Sequence, residues 1–268
     1  MRVMRYEDDG GVVRYGEDIG DGRARRLGGS PLAGAIEVEG TEDRVKRVLM
    51  PIQPSNIFCI GLNYREHAAE TGAELPEHPV VFMKPTSAAT DPGVAIRLPA
   101  SQMRGPEVDY ECELAVVIGK AGRDIPEARA LEHVLGYTCA NDVSARRWQK
   151  QGGGGQWIRG KSFDTFCPLG PVLVTADEIA DPQALNISTT LNGKVMQQHT
   201  TGDMIFSVAT LIAFLSRDTT LLPGTVILTG TPQGVGMARK PPVFLADGDE
   251  VVVEIERIGK LVNPVVNA

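Results

Sequence analysis

The sequence predicts a β-rich α+β fold. Short runs of β-branched and other apolar residues outnumber segments with helical spacing, and strands and helices do not alternate regularly. The 30 glycines and 18 prolines among 268 residues are typical of a chain with many turns. Because a regular strand–helix–strand alternation is missing, a doubly wound sheet or a TIM barrel is not expected.

The first 54 residues are expected to form a small N-terminal module. They are polar and glycine-rich, with short strand-like segments at residues 11–15 and 35–39. Pro51 and Pro54 favour an extended linker at the end of this module. The sequence therefore predicts a second, larger domain over residues 55–268.

The larger domain contains eight segments with the composition and length of strands. They lie at residues 57–62, 80–84, 110–118, 137–140, 169–175, 187–191, 225–229 and 250–258. Helical spacing occurs at residues 64–71, 126–135 and 207–216. The first helix is predicted to follow Asn63 as its N-cap, with Glu66 in a capping box, and to end at Gly72. Another short helix is predicted to begin near residues 142–144.

Charge and hydropathy argue against several classes of protein. With 27 basic and 34 acidic residues and no basic block, the chain is not expected to bind nucleic acid. Its longest apolar run, residues 208–215, is far shorter than the roughly 20 residues that span a bilayer. No apolar segment near the N-terminus indicates a secretory signal, so we expect a cytoplasmic protein. The four cysteines form no CxxC pair and are expected to be reduced and buried: Cys59, Cys112, Cys139 and Cys167.

Two glutamates stand at the start of the most apolar predicted strand. Glu111 and Glu113 are two residues apart, so their side chains point to the same face of a strand. The residues that follow, 114–118, are wholly apolar, which indicates that the strand enters the core. Adjacent carboxylates there require either protonation of one of them or a cation between them. A solvated strand edge is an equally good interpretation of this pattern alone.

A third carboxylate, Asp142, follows the short apolar strand at residues 136–140. An aspartate at this place is often only the N-cap of a helix. However, three carboxylates at strand ends, without a cysteine or a histidine cluster, are typical of an oxygen-rich site for Mg²⁺ or Mn²⁺.

Three further places carry side chains or backbone groups suited to chemistry. His67 and Glu70 are three residues apart on a predicted helix, which suits a general base, although an exposed pair is the simpler interpretation. Lys161, between a glycine and an apolar turn, is a candidate cation for substrate oxygens. The glycine-rich turn at residues 229–236 could bind a carboxylate through backbone N–H groups or could be purely structural.

Taken together, the motifs of the chain resemble those of the fumarylacetoacetate hydrolase family, over residues 55–268. The matching stretches are residues 56–67, 79–85, 108–119, 141–146, 160–165, 222–232 and 252–264. The chain departs from the family pattern at Arg147 and Thr225, where aspartate is frequent, and in the insertion-like glycine run at residues 152–155. Arg147 could therefore change the charge around the mouth of the site.

The resemblance implies a mixed β-sandwich roll, a homodimer and a bound Mg²⁺ or Mn²⁺. The implied metal ligands are Glu111, Glu113 and Asp142. The implied catalytic residues are Lys161, beside the metal, and the dyad of His67 and Glu70 on a mobile lid helix. The implied substrate contacts are Arg146, Gln149 and Thr231.

The resemblance also implies an enzyme that acts on a small 2-oxo acid, with no nucleic acid or membrane as partner. Because both His67 and Glu70 are present, activation of water is favoured. We therefore expect a hydrolase that cleaves a C–C bond in acylpyruvate- or fumarylacetoacetate-like 2,4-dioxo acids, in the catabolism of aromatic or related compounds. Decarboxylation of an oxaloacetate-type acid, or isomerisation or hydration of 2-hydroxyhepta-2,4-diene-1,7-dioate, stays open on the same site. A non-catalytic binding protein is disfavoured because Lys161 and the dyad are retained.

Overall fold

The computed structural model describes residues 1–34, 36–101, 107–152 and 155–268. One residue of the segment expected at 35–39 and two glycines of the run at 152–155 lie outside the described residues. Within the described ranges the chain forms 18 β-strands and four α-helices. None of these helices is longer than eight residues. The predicted β-rich α+β class is confirmed.

The strands are β1 (Arg2–Asp8), β2 (Val13–Gly20), β3 (Arg23–Leu27), β4 (Val38–Leu49), β5 (Asn56–Gly61), β6 (Val80–Lys84), β7 (Ala89–Thr90), β8 (Ile96–Leu98), β9 (Val108–Asp109), β10 (Cys112–Ile118), β11 (Val134–Asn141), β12 (Ser144–Ala145), β13 (Cys167–Thr175), β14 (Asn186–Leu191), β15 (Lys194–Thr200), β16 (Thr225–Leu228), β17 (Glu250–Ile255) and β18 (Gly259–Asn267). The α-helices are α1 (Arg65–Thr71), α2 (Arg146–Gln151), α3 (Trp157–Lys161) and α4 (Val208–Leu215). Short 3₁₀ helices lie at Thr86–Ala88, Glu127–His133, Ala176–Glu178, Thr201–Asp203 and Gly236–Ala238.

Two sheets contain most of these strands. The larger sheet has the order β2-β3-β4-β1-β13-β11-β10-β16-β5-β6, with β7 paired in parallel with β13. Its strands are mostly antiparallel, but β5 and β16 run parallel. The smaller sheet has the order β15-β14-β17-β18-β8. A two-residue ladder joins β9 to β12 beside the site described below.

The main core lies between the two sheets. Leu114 and Val116 of β10 belong to the same buried cluster as Ile187 and Val253 of the smaller sheet. Burial of one such side chain stabilises the fold by about 1.5–3 kcal/mol. The opposite face of β10 belongs to a second buried cluster, which includes β5. Because β10 is covered on both faces, every one of its residues is buried.

The polar N-terminal strands extend the larger sheet. β1 pairs with β2 and β4, and its first residues pair with β13 through Arg2 and Val174. Tyr6 of β1 is buried in the main core, and its hydroxyl donates to Asp43 of β4 at 2.6 Å. The division into a module at residues 1–54 and a domain at residues 55–268 stays a prediction.

The helix near residue 64 is confirmed, but its predicted N-cap is wrong. Tyr64 is the N-cap residue of α1, and its side chain makes no capping hydrogen bond. The Asn63 amide accepts from Phe206 N at 2.8 Å and donates to the carbonyl of Thr229 at 2.7 Å. These partners are distant in sequence, so the local pattern could not indicate them. Gly72, with φ 65°, ends the helix as predicted.

Two other helix predictions need adjustment. The segment at residues 126–135 forms a 3₁₀ helix, and the helix expected near residues 142–144 begins at Arg146. The helix at residues 207–216 is confirmed as α4, and the Ser207 side chain accepts from the N–H of Thr210 as its cap. In the described part of the chain, no helix has the length and apolar character that a membrane crossing needs.

Candidate active site

Three carboxylates converge at the ends of β10 and β11. One oxygen from each of Glu111, Glu113 and Asp142 lies within 4.8 Å of the other two. The antiparallel register causes this arrangement, because Cys112 pairs with Asn141 and so brings the flanking carboxylates together. The backbone N–H of Asp142 donates to the carbonyl of Glu111 at 2.9 Å, and this bond holds the ends of the two strands together.

Burial decides between the interpretations that the sequence left open. Glu111 is 6% exposed and Glu113 is 1% exposed, so a solvated strand edge is excluded. Asp142 does not cap α2, whose N-cap is Ala145. The carboxylates therefore lie in the protein interior together, as expected for a strand that enters the core.

The buried cations near the cluster do not neutralise every carboxylate equally. Lys161 Nζ donates to Glu111 at 3.0 Å, to Asp142 at 2.6 Å and to the Ser144 hydroxyl at 2.6 Å. Burial opposes the ionisation of Glu111, but Lys161 and Arg146 outweigh it and hold the pKa of that carboxyl well below its usual range. For Glu113, burial and then the charges of Asp142 and Glu111 raise the pKa well above its usual value.

This donor set fits a divalent metal ion. All three side chains offer carboxylate oxygens, which Mg²⁺ and Mn²⁺ prefer. A cation between them would also relieve the repulsion that raises the pKa of Glu113. The described residues could therefore hold such an ion at Glu111, Glu113 and Asp142.

Lys84, which the sequence analysis did not single out, supports Asp142 from the other side. Its Nζ lies 2.7 Å from Asp142 Oδ1. It also donates to the carbonyls of Val143 at 3.0 Å, Lys161 at 2.6 Å and Phe166 at 2.8 Å. The side chain is 2% exposed, although it ends the edge strand β6. A lysine that closes an apolar strand was the available signal in the sequence.

Asp109, another residue that was missed, orients Arg146. Arg146 Nε donates to Asp109 Oδ2 at 2.8 Å, and Nη1 donates to Glu111 at 2.6 Å and to Gln149 at 3.1 Å. The charges of Asp109 and Glu111 outweigh burial and raise the pKa of Arg146. The remaining nitrogen, Nη2, is buried and has no hydrogen-bond partner among the described residues. The guanidinium is thus held in place with one donor available.

His67 and Glu70 form a pair at the same cavity. His67 Nδ1 lies 3.3 Å from Glu70 Oε2, and their side chains are 11% and 22% exposed. The helix holds the imidazole at the cavity, and Nε2 of His67 makes no hydrogen bond with the described residues. His67 is partly buried at the cavity, whereas Glu70 lies on its exposed side.

The glycine-rich turn after β16 binds the protein's own carboxylates. Three of its backbone N–H groups are used in this way. The acceptors are Glu113 for Gly230 at 2.6 Å, Glu70 for Gly234 at 2.9 Å and Asp109 for Gly236 at 2.8 Å. Gly230 has φ 97°, and a Cβ there would lie 2.7 Å from the Cβ of Asn63, so the turn requires glycine. The turn thus links the carboxylate cluster to the dyad.

A cavity of about 160 Å³ joins these groups. This is the size of a cavity that accommodates a six-carbon ring. The predicted site residues that line it are His67, Glu111, Glu113, Arg146, Gln149, Lys161 and Thr231. Glu70 and Asp142 reach it through His67 and through the carboxylate cluster. Lys150, Phe82 and Trp157 also line the cavity and were not predicted.

Comparisons with known proteins agree with the family resemblance that the sequence motifs indicated. The family model described as fumarylacetoacetate (FAA) hydrolase C-terminal matches residues 56–266. Oxaloacetate tautomerase fahd2, mitochondrial, of Xenopus laevis is 51% identical over 220 residues, which are 82% of this chain and 68% of that protein.

Two solved structures align with the whole chain. A 2-hydroxyhepta-2,4-diene-1,7-dioate isomerase from Mycobacterium marinum is 40% identical with a TM-score of 0.84, covering 100% of this chain and 98% of that one. A fumarylacetoacetate hydrolase from psychrophilic Exiguobacterium antarcticum is 38% identical with a TM-score of 0.88, covering 100% of both chains. Similar proteins therefore carry the names of a tautomerase, an isomerase and a hydrolase.

Proposed function

The chain belongs to the fumarylacetoacetate hydrolase family, and we propose that it is a metal-dependent tautomerase of an oxaloacetate-like 2-oxo acid. The observation that carries this proposal is the buried carboxylate cluster, which shares one cavity with Lys161, Arg146 and His67. Such a site suits a substrate that is anionic and becomes an enolate during the reaction. The tautomerase name of a relative with 51% identity supports the choice of reaction.

The metal that we propose is Mg²⁺ or Mn²⁺, held by Glu111, Glu113 and Asp142. When bound, the ion would supply a Lewis acid that polarises the oxo oxygen of the substrate. The free Nη2 of Arg146 would donate to a substrate carboxylate. The ammonium group of Lys161 would add positive charge where the enolate forms.

His67 is the residue that we propose for proton transfer. Because Nδ1 faces Glu70, Nε2 is the nitrogen that would accept a proton from C3 of the keto acid. The electron pair of the broken C–H bond then forms the C2–C3 double bond, and the proton returns to the C2 oxygen to give the enol. Glu70, held by the N–H of Gly234, would orient the ring during both transfers.

Hydrolysis of a C–C bond in a 2,4-dioxo acid, our expectation from the sequence, remains the second candidate. The same dyad could deprotonate a water for attack on the C4 carbonyl. The His67–Glu70 contact and the similarity to a fumarylacetoacetate hydrolase favour this reaction. A panel of oxaloacetate and acylpyruvates, assayed with Mg²⁺ and with Mn²⁺, separates the candidates. We expect faster enol–keto exchange of oxaloacetate, followed by ultraviolet absorbance, than cleavage of any acylpyruvate. Cleavage without accelerated exchange would instead establish the hydrolase.

Replacing His67 with alanine is expected to lower kcat of the proposed reaction by about 10²–10⁴-fold, the usual contribution of a general acid–base group. Affinity for Mn²⁺ should stay nearly unchanged, because His67 is not one of the three proposed metal ligands. The control is His78→Ala, since His78 is 67% exposed and lies outside the cavity. If H67A retained the activity of the wild-type protein, the assignment of the dyad would be wrong.

Lys150 can pair with a second anionic group of the substrate, and we propose that the substrate is a dicarboxylic acid. Lys150 lines the cavity together with Arg146 and Gln149. Burial, followed by repulsion from Arg146, lowers the pKa of its ammonium group. A second substrate carboxylate beside it would compensate for both effects.

Replacing Lys150 with glutamine is accordingly expected to raise KM for oxaloacetate about fivefold, because a partly exposed charge pair is worth on the order of 1 kcal/mol. The KM of a 2-oxo acid with a neutral tail should not change, and Lys150→Arg should resemble the wild-type protein. Steady-state kinetics with both substrates measure the difference. An equal rise for both substrates would show that Lys150 does not read the second carboxylate.

The remaining expectations are still predictions. They comprise the homodimer, the cytoplasmic location and a role in the catabolism of aromatic compounds. The Xenopus relative carries the word mitochondrial in its name, so location is open to direct measurement.

A further inference from the structure

Gln197, in the middle of β15, uses every hydrogen-bonding position of its amide. Oε1 accepts from the backbone N–H of Cys112 at 3.0 Å and from the Thr189 hydroxyl at 2.9 Å. Nε2 donates to Thr231 Oγ1 at 2.8 Å and to the carbonyl of Pro232 at 2.8 Å. The side chain is 1% exposed, so water does not compete for these positions.

These four contacts fix which way the amide points. The N–H of Cys112 can only donate, and the carbonyl of Pro232 can only accept. A flipped amide would place donor against donor at Cys112 and acceptor against acceptor at Pro232. The contact with Thr231 therefore has one direction, in which Gln197 donates and Thr231 accepts.

The hydroxyl hydrogen of Thr231 is then left for another partner. Thr231 lines the cavity, and besides Gln197 its hydroxyl meets the thiol of Cys112. The sulfur of Cys112 lies beside it, but a thiol sulfur is a weak acceptor. The preceding residue, Gly230, donates to Glu113, so the hydroxyl is next to the carboxylate cluster.

We propose that Gln197 is a positioning residue that sets Thr231 as a hydrogen-bond donor to an anionic oxygen of the bound substrate. The inference rests on the proposed function only in taking that substrate to be a 2-oxo acid. A donor that is oriented before the substrate arrives does not have to reorient when negative charge develops on the oxygen. Gln197 thus acts on the reaction through Thr231, without contact with the substrate.

The test is a double-mutant cycle on oxalate binding to the Mn²⁺-loaded protein, measured by calorimetry. Thr231→Val removes the hydroxyl and is expected to weaken oxalate binding by about 10–100-fold, as for a hydrogen bond to a charged group. Gln197→Glu offers Thr231 an acceptor in place of a donor and should cause a similar loss. In the Thr231→Val background, Gln197→Glu should change oxalate binding by less than about twofold.

Two controls separate this role from a merely structural one. Gln198→Glu is the same chemical change one residue along, on an exposed side chain, and should leave oxalate binding unchanged. Mn²⁺ affinity, measured without oxalate, should vary by less than about threefold across the cycle, because Gln197 and Thr231 are not among the clustered carboxylates. If Gln197→Glu does not fold, Gln197→Met removes the donor and is subject to the same expectations.

An equal loss of oxalate affinity in both backgrounds, or a parallel loss of Mn²⁺ affinity, would overturn the proposal. Unchanged oxalate binding in the Gln197 variants would overturn it as well. Because oxalate binding does not depend on turnover, failure of the tautomerase assay with an intact cycle would count against the proposed reaction and not against the role of Gln197.

Discussion

Replacing Glu113 with glutamine is expected to weaken the binding of Mg²⁺ or Mn²⁺ by more than about 100-fold and to remove activity, since loss of groups that merely orient ligands already costs 10–100-fold. Glutamine keeps the size of the side chain but removes the charge from the cluster. In metal-free protein, the same change should raise the melting temperature. Burial and the neighbouring carboxylates raise the pKa of Glu113, so this side chain costs stability at any pH at which the unfolded chain would ionise it, whereas glutamine does not.

E113Q is thus expected to bind metal more weakly but, without metal, to be more stable, and a general folding defect would not produce this combination. Calorimetric titration of EDTA-treated protein measures the metal affinity, and thermal unfolding with and without Mn²⁺ measures the stability. Glu77→Gln is the matched control, because Glu77 is 91% exposed and neither effect should appear. Equal metal affinity in E113Q and the wild-type protein would show that Glu113 is not a ligand.

Replacing Lys84 with methionine is expected to destabilise the protein by about 3–5 kcal/mol, as when one partner of a buried ion pair is removed. Asp142 would lose a cation 2.7 Å away, and the carbonyls of Val143, Lys161 and Phe166 would lose their shared donor. Unfolding by denaturant in the absence of metal measures the change. Activity should fall too, because Lys84 holds both Asp142 and the backbone of Lys161.

A surface lysine provides the comparison for this variant. Lys260 pairs with Glu254 at 3.5 Å, but the two side chains are 61% and 49% exposed. Lys260→Met should therefore cost less than about 1 kcal/mol. If K84M lost no more stability than K260M, the buried contact between Lys84 and Asp142 would not exist in solution.

The sequence located the carboxylate cluster because strand geometry is local. Glu111 and Glu113 share a face by the two-residue period of a strand, and the apolar run after them indicated burial. What the pattern could not supply was the depth of that burial. It follows from the pairing of β10 with β11 on one side and β16 on the other, which makes it an interior strand.

The residues that the sequence did not reveal act through long-range contacts. Lys84 meets the carbonyl of Val143 across 59 positions, Gln197 meets the N–H of Cys112 across 85, and Asp109 meets Gly236 across 127. The strand that carries Gln197 was also not predicted from the sequence. β15 is largely polar and lacks the apolar alternation by which strands are recognised. Asn63 failed as a predicted cap for the same reason, because its amide binds partners on distant loops.

The most direct test of the account is a crystal structure of the protein with Mn²⁺ and oxalate, read from the anomalous scattering of manganese. We predict a single strong manganese peak in contact with Glu111, Glu113 and Asp142, with oxalate completing its coordination. A map in which the ammonium group of Lys161 alone occupies the space among these carboxylates, and manganese binds elsewhere or nowhere, would contradict the account.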